Sequence, residues 1–277
     1  MPSVVSRLLI LCKTYPSPSS AYVETSCVAA IDESGNLVRL YPMPFRLVSS
    51  EKQFKKWQWI SARIEKSRKD HRAESHKVFV DTINCDVLPL STKNGWLARR
   101  GHIQKILKHS NFDALDSARA AGGPTLGIVR PTKIEGLDIT PASSPVWTKA
   151  EIDKLVSIQQ QGDLFDSTDA KSIATLKKLP FDFHYRYTCS GGGETKEYRH
   201  KIVDWEIGAL YWNVRRSHGQ NWEMPFRDKL ENQLPKADLM FLMGTIHRFP
   251  DQWLIVSLIY PPKQQSELVN QQSSFDL

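Results

Sequence analysis

The sequence lacks paired cysteines. Its four, Cys12, Cys27, Cys85 and Cys189, fall in no CxxC spacing, which argues against a zinc ribbon or a disulfide framework and points to free thiols in a reducing compartment. It also lacks a long apolar run. The opening MPSVVSRLLILCKTYP is far too short to cross a bilayer and carries no convincing cleavage region, so a soluble, cytoplasmic protein with no membrane partner is expected. The segment SGGGETK does not have the GxxxxGK[ST] spacing of a P-loop, and no GxSxG, HExxH or Gly-rich dinucleotide fingerprint occurs. No repeat of solenoid period is present. Cys189 and His200 would make two metal ligands, but no second pair accompanies them, so neither a metal site nor a cofactor is expected.

What is present is a moderate excess of positive charge. Lys and Arg total 37 against 30 Asp and Glu, a net charge of +7 on 277 residues. That balance favours an acidic partner such as DNA or RNA without requiring one. A hydrophobic share of 40% and a charged share of 24% are ordinary for a globular chain, and the length suffices for two domains.

The N-terminal third reads as β-structure. RLLILCK has strand length, SCVAAI and LVRLYP flank the turn DESGN as a hairpin, and WQWISARIEKS and HKVFVDTINCDVL alternate apolar and polar residues. Between the last two lies KSRKDHRAESHK, which is too polar to bury and is expected as a loop or an exposed strand end. TKNGWLARRGHIQKILKHSNFDAL has loosely helical spacing, and GGPTLGIVRPTKIEGLDITP returns to short strands. In FDFHYRYTC, Phe181, Phe183, Tyr185 and Tyr187 share one face of a strand. WEMPFRDKLENQL reads as a helix, and DLMFLMGTIH and WLIVSLIYPP as an apolar hairpin around RFPDQ.

HKIVDWEIGALYWNVRRSHG places His200, Asp204 and Glu206 within seven positions. On a helix His200 and Asp204 share a face; on a strand Asp204 and Glu206 do; neither brings all three together. A structural reading accounts for every charge. Asp204 caps a helix, Glu206 complements its positive end, Arg215, Arg216 and His218 fill the last turn, and Gly219 stops it. This reading leads over catalysis.

The strongest nucleic-acid signal is residues 51–77, where Lys55, Lys56, Lys66, Arg68, Lys69 and Arg72 accompany Trp57 and Trp59. Cations neutralise phosphates and aromatic faces stack on unpaired bases; the two tryptophans, two residues apart, would equally suit the buried face of a strand. QGDLF, with Gln161, Leu164 and Phe165, resembles the short peptide by which bacterial proteins dock onto the replisome sliding clamp, and the tail QQSSFDL is a looser echo.

Taken together, ILCKTYP, the CVAAIDESGNLVRLYP hairpin and the strands after it resemble the prokaryotic dual-OB-like proteins, mainly over about the first 90 residues. FDFHYRYTC, HKIVDWEIGALY and DLMFLMGTIHRFPDQWLIVSLIYPPK are similar to a widespread bacterial family often found near defence or mobile-element genes. The resemblance implies β-barrel modules and a nucleic-acid role, and brings no catalytic residues with it.

The expected fold is α+β: an N-terminal OB-like β-barrel with a helical insertion over 1–140, a linker over 141–178, a smaller strand–helix–hairpin domain over 179–263 and a polar tail over 264–277. The expected function is nucleic-acid binding, in a defence or DNA-processing setting. One alternative is a nuclease or base-removing hydrolase with Asp204, Glu206, His200 and His247 as acid–base groups or ligands for Mg2+. The other is a protein-interaction adaptor working through QGDLF.

Overall fold

Alternation in the first strands has a closed ring as its outcome. A computed structural model of the protein describes residues 2–19, 23–146, 148–150, 177–191 and 193–264. Five strands, β1 (Val4–Lys13), β2 (Val23–Ile31), β3 (Leu37–Met43), β4 (Trp59–Lys66) and β5 (Ser75–Val78), pair in the order β1-β2-β3-β5-β4, and β4 pairs back onto β1. Only β3 and β5 run parallel. This is the OB-like barrel, and closure removes the free edges that open sheets expose. A register shift between Ile10 and Cys12 bends β1 so that it serves both neighbours. In the β2–β3 turn the Asp32 carboxylate accepts from the backbone N–H groups of Ser34 and Asn36, and Gly35 takes the positive φ of +93°.

Period-two patterning then decides two cores at once. Leu8, Ile10, Val28, Ala30, Leu40, Ile60 and Ile64 fill the barrel, while Leu9, Leu11, Ala29 and Ile31, one residue out of phase, point outward and are still buried. What covers them is a second sheet.

That sheet follows α1 (Lys93–Lys105), a helix whose first turn is broken by positive φ at Asn94, Gly95 and Trp96. Its strands are β6 (Lys108–His109), β7 (Leu126–Val129), β8 (Lys133–Pro141), β9 (Phe181–Gly191), β10 (Glu194–Ile202), β11 (Met240–Ile246) and β12 (Phe249–Ile259), in the order β8-β9-β10-β12-β11-β7-β6. Helices α2 (Phe112–Ala120), α3 (Trp205–His218) and α4 (Glu223–Arg227) complete the second unit. The α+β architecture is as expected, but the boundary is not. Residues 108–141 belong with the second sheet, because β7 pairs with β11 and β8 with β9. Those partners lie far along the chain, and no local pattern names them.

One face of the second sheet carries Phe183, Tyr185, Tyr187 and Phe241 into a core with Ile207 and Tyr211 of α3, Trp222 and Phe226. The Tyr185 hydroxyl donates to the Leu230 carbonyl at 2.7 Å, so its buried oxygen is satisfied. From the other face Leu126, Ile128, Met240, Leu242 and Val256 meet the outward residues of β1 and β2. The consequence is functional. The face of strands 2 and 3 that OB barrels commonly offer to oligonucleotides is covered here by the second sheet. Among the described residues no helix is long and apolar enough to cross a membrane.

Candidate functional site

A polar network lines the rim of the seam between barrel and sheet. It begins with the outward residues of β3, where Arg39 follows the apolar pattern's phase but not its chemistry. Arg39 is 2% exposed. Its guanidinium donates to the Thr125 carbonyl at 3.0 Å, to the Thr125 hydroxyl at 3.2 Å, to Glu74 at 3.3 Å and to the Cys27 sulfur at 3.3 Å. The Thr125 hydroxyl in turn donates to Glu74. Burial alone would push the Glu74 carboxyl up, but Arg39 and Thr125 overcome it and hold the group below its usual range.

The segment leading into β5 is a loop, as expected, with Arg68, Lys69, His71 and Ala73 exposed, but it is not too polar to bury in part. Asp70, Arg72, Glu74 and Ser75 are all buried. Burial is possible because the charges neutralise each other. Arg72 Nη2 donates to Asp70 Oδ2 at 2.6 Å and Nε to Oδ1 at 2.9 Å; the Arg72 backbone N–H and the Ser75 hydroxyl add two further donors to Asp70. Arg72 Nη1 reaches across the seam to the Thr245 carbonyl at 2.8 Å. Burial raises the Asp70 carboxyl, yet the bonds from Arg72 and Ser75 outweigh it and keep the group well below the ordinary carboxylate range.

His247 arrives at this network from the β11–β12 turn. Its Nδ1 lies 3.2 Å from Asp70 Oδ1, and its ring stacks on that of His71 with centroids 5.3 Å apart and planes 29° from parallel. The β11–β12 register shifts between Thr245 and Ile246, a bulge that re-aims the side chains at the strand end. Asp70, His71 and His247 each offer an atom within 4.8 Å of the others.

The basic residues anticipated as a nucleic-acid surface fall into three groups. Arg68, Lys69 and Lys55 are exposed, Arg68 at 84% with only a 3.8 Å approach to Glu65. Lys66, Lys56 and Arg72 are committed elsewhere. Lys66 donates to the carbonyls of Arg72 and Ser75, and Lys56 to Glu206 at 2.8 Å and to the Leu258 carbonyl at 2.9 Å. Trp57, 2% exposed, packs at 5.7 Å against Trp96 with Arg99 over both rings, so no face of it is open to a base. Trp59 keeps a partly open ring beside His102 and Arg7. It starts β4 and Lys66 ends it, so at about 3.3 Å per residue the two are roughly 23 Å apart.

The anticipated catalytic constellation is not assembled. Asp204 caps α3, accepting from the Glu206 N–H at 2.9 Å, and its second oxygen accepts from the buried Leu258 N–H at 2.9 Å. Lys56 sits 3.7 Å from it. Glu206, half exposed, holds the same lysine. His200 lies instead among Phe112, Tyr187 and Tyr198, where the Tyr187 hydroxyl sits 3.1 Å from its Nδ1. Burial pushes Tyr187 up, so its hydroxyl stays protonated, and the imidazole tautomer sets whether the hydroxyl or the Nδ1–H is the donor. His247 pairs with Asp70. The three clusters use different partners because a strand end, a helix cap and a hairpin turn face different neighbours. Gln161, Leu164 and Phe165 lie outside the described residues.

Burial drops the His200 pKa to about 4, with Asp116 opposing and His184 assisting. The unfolded chain therefore binds a proton that the folded one refuses between about pH 6.5 and pH 4. Stability is expected to be complete above about pH 6.5 and to fall by up to about 3 kcal/mol toward pH 4 on this account. Urea unfolding of the protein and of His200→Phe across that range checks it; an equal slope in both would remove His200 as the cause.

Reading from sequence missed Asp70, His71, Arg39 and Glu74. Only the density of charge in RKDHRAES marked Asp70, His71 and Glu74, and density alone looks the same in a solvated loop; Arg39 is a lone charge inside the LVRLYP strand. The chain belongs to the family described as "Domain of unknown function (DUF8757)", whose pattern matches residues 108–277. Residues 5–105 match a second, "Domain of unknown function (DUF8758)". The junction between the two matches falls where the barrel unit with α1 gives way to the second sheet. No curated protein matches the chain.

Proposed function

We propose that the protein binds nucleic acid through a basic rim at the barrel–sheet junction. The observation that carries this reading is the stapling of one loop. Arg72 anchors the segment 67–73 to Asp70 and, across the seam, to Thr245, so Arg68 and Lys69 are displayed from a fixed base beside exposed His71 and Arg248. Preorganised cations lose less entropy on meeting phosphates than cations on a free loop. The contact is led by phosphate and independent of sequence, because Trp57 is in the core and Trp59 stands at the far end of β4. The covered strand-2 and strand-3 face leaves the rim as the surface that the charge excess of +7 favours for a polyanion.

The test is fluorescence anisotropy with labelled single-stranded DNA, duplex DNA and RNA at two salt concentrations. The triple variant Arg68→Ala, Lys69→Ala, Arg248→Ala should bind about 10–100-fold more weakly at low salt, and its slope of log affinity against log salt should shrink by about 2–3. All three side chains are exposed, so the fold is expected to stand. Equal affinity and slope in the triple variant would sink the proposal.

A further inference from the structure

We propose that Asp70, His71 and His247 form a site for one divalent transition metal ion of the zinc class, at the mouth of the seam. The site does not depend on the nucleic-acid reading, since it is measured on the protein alone.

The argument starts from distances. Zinc–nitrogen and zinc–oxygen bonds of about 2.1 Å at angles between octahedral and tetrahedral put neighbouring ligand atoms roughly 3.0–3.4 Å apart. Asp70 Oδ1 and His247 Nδ1 are 3.2 Å apart. That spacing matches one edge of such a shell, and the imidazole, which now faces Oδ1 in a hydrogen bond, must turn its nitrogen toward the ion. The third ligand, His71, offers a ring nitrogen within 4.8 Å of one ligand atom on each of the other two residues. It must close by about 1–2 Å to ligate, and its side chain is exposed on the loop, so a χ rotation supplies the movement.

The surroundings are those of a supported ligand set. Asp70 is oriented by the Arg72 guanidinium, the Arg72 N–H and the Ser75 hydroxyl, the outer hydrogen bonds that fix a metal-binding carboxylate. His247 is aimed by the β11–β12 bulge, and Arg72 ties the adjoining strand to the same loop through the Thr245 carbonyl. Two imidazoles and one carboxylate suit zinc, cobalt or nickel better than magnesium, which prefers an all-oxygen shell. Three protein ligands leave coordination positions for water or an anion's oxygen, and Arg68, Lys69 and Arg248, all exposed, adjoin the ligands in sequence. Among the described residues this is the one group of three such side chains whose ligand atoms all lie within 4.8 Å of one another.

A plain Asp70–His247 hydrogen bond with His71 stacked on the imidazole is the competing account, and it gives His71 no ion to ligate. The experiment turns on that difference. Tag-free, metal-stripped full-length protein is titrated with Co2+, followed by its visible d–d absorption, and then with Zn2+ in competition. The expected result is one equivalent of Co2+, displaced by one of Zn2+. His71→Ala and His247→Gln should each weaken binding at least 10-fold while far-ultraviolet circular dichroism and melting temperature stay near those of the parent. His71 is exposed, so its variant tests ligation with the fold kept intact. Absence of a one-equivalent Co2+ spectrum, or an affinity unchanged in His71→Ala, would overturn the site.

Discussion

Arg72→Ala should destabilise the protein by about 3–5 kcal/mol, the usual consequence of removing one partner from a buried ion pair. The side chain is 4% exposed and Asp70 5%. Alanine would remove three guanidinium contacts to the carboxylate and the bond across the seam to the Thr245 carbonyl. Asp70 would keep only Ser75, the residue-72 N–H and His247 as partners, too few for a charge held out of water. Arg72→Lys should recover little, because an ammonium cannot reproduce the planar fork that meets both Asp70 oxygens and Thr245 together. The double variant Arg72→Met, Asp70→Leu should recover most of the loss, since a buried pair and a well-packed apolar pair often have similar stability. Urea unfolding with an unchanged m-value measures all three. A loss under about 1 kcal/mol for Arg72→Ala would show that the pair is more solvated than its burial indicates. The same variant should free the loop 67–73 and so weaken nucleic-acid binding beyond the loss of a single cation.

Asp204→Ala is expected to cost a similar amount for a different reason, and its effect should appear in stability. One carboxylate oxygen caps α3 and the other satisfies the buried Leu258 N–H. Loss of a cap costs about 1 kcal/mol, an orphaned buried donor about 1–3 kcal/mol, and Lys56 loses its buried counter-charge, for a total of about 3–5 kcal/mol. Burial opposes the charge on Lys56, but Asp204 and Glu206 outweigh it and hold the ammonium above its ordinary range. Glu206→Gln, at a half-exposed partner, should cost under about 1 kcal/mol. Denaturant midpoints for the two variants check this contrast. If Asp204→Ala unfolds at the parental midpoint, the capping account fails.

Much of the local structure was legible in the residues. The Asp204 cap, the α3 helix and Gly219 at φ +57° stand where HKIVDWEIGALYWNVRRSHG predicts them, and the aromatic face of β9 is the buried one. The DESGN hairpin and the apolar β11–β12 hairpin are likewise present. Such features depend on neighbours a few positions away, and the side-chain period reports them directly. The placement of 108–141 was not legible, because β7 and β8 reach the second sheet through β11 and β9, strands 40 or more residues distant.

The sequence by itself determined most of the strands and helices, which of their faces are apolar, and that the chain carries excess positive charge. These follow from composition and periodicity, which act over a turn or a pleat. HKVFVDTINCDVL, expected as one strand, breaks after Val78 into a 3-10 turn at Val80–Thr82. The tertiary structure alone decided that the outer face of β1 and β2 is a seam, that Trp57 and Arg72 are buried while Arg68 and Lys69 are not, and that His247 meets Asp70 across 177 positions. A charged residue enters the interior only if its partner arrives with it. That partner is set by how barrel and sheet dock.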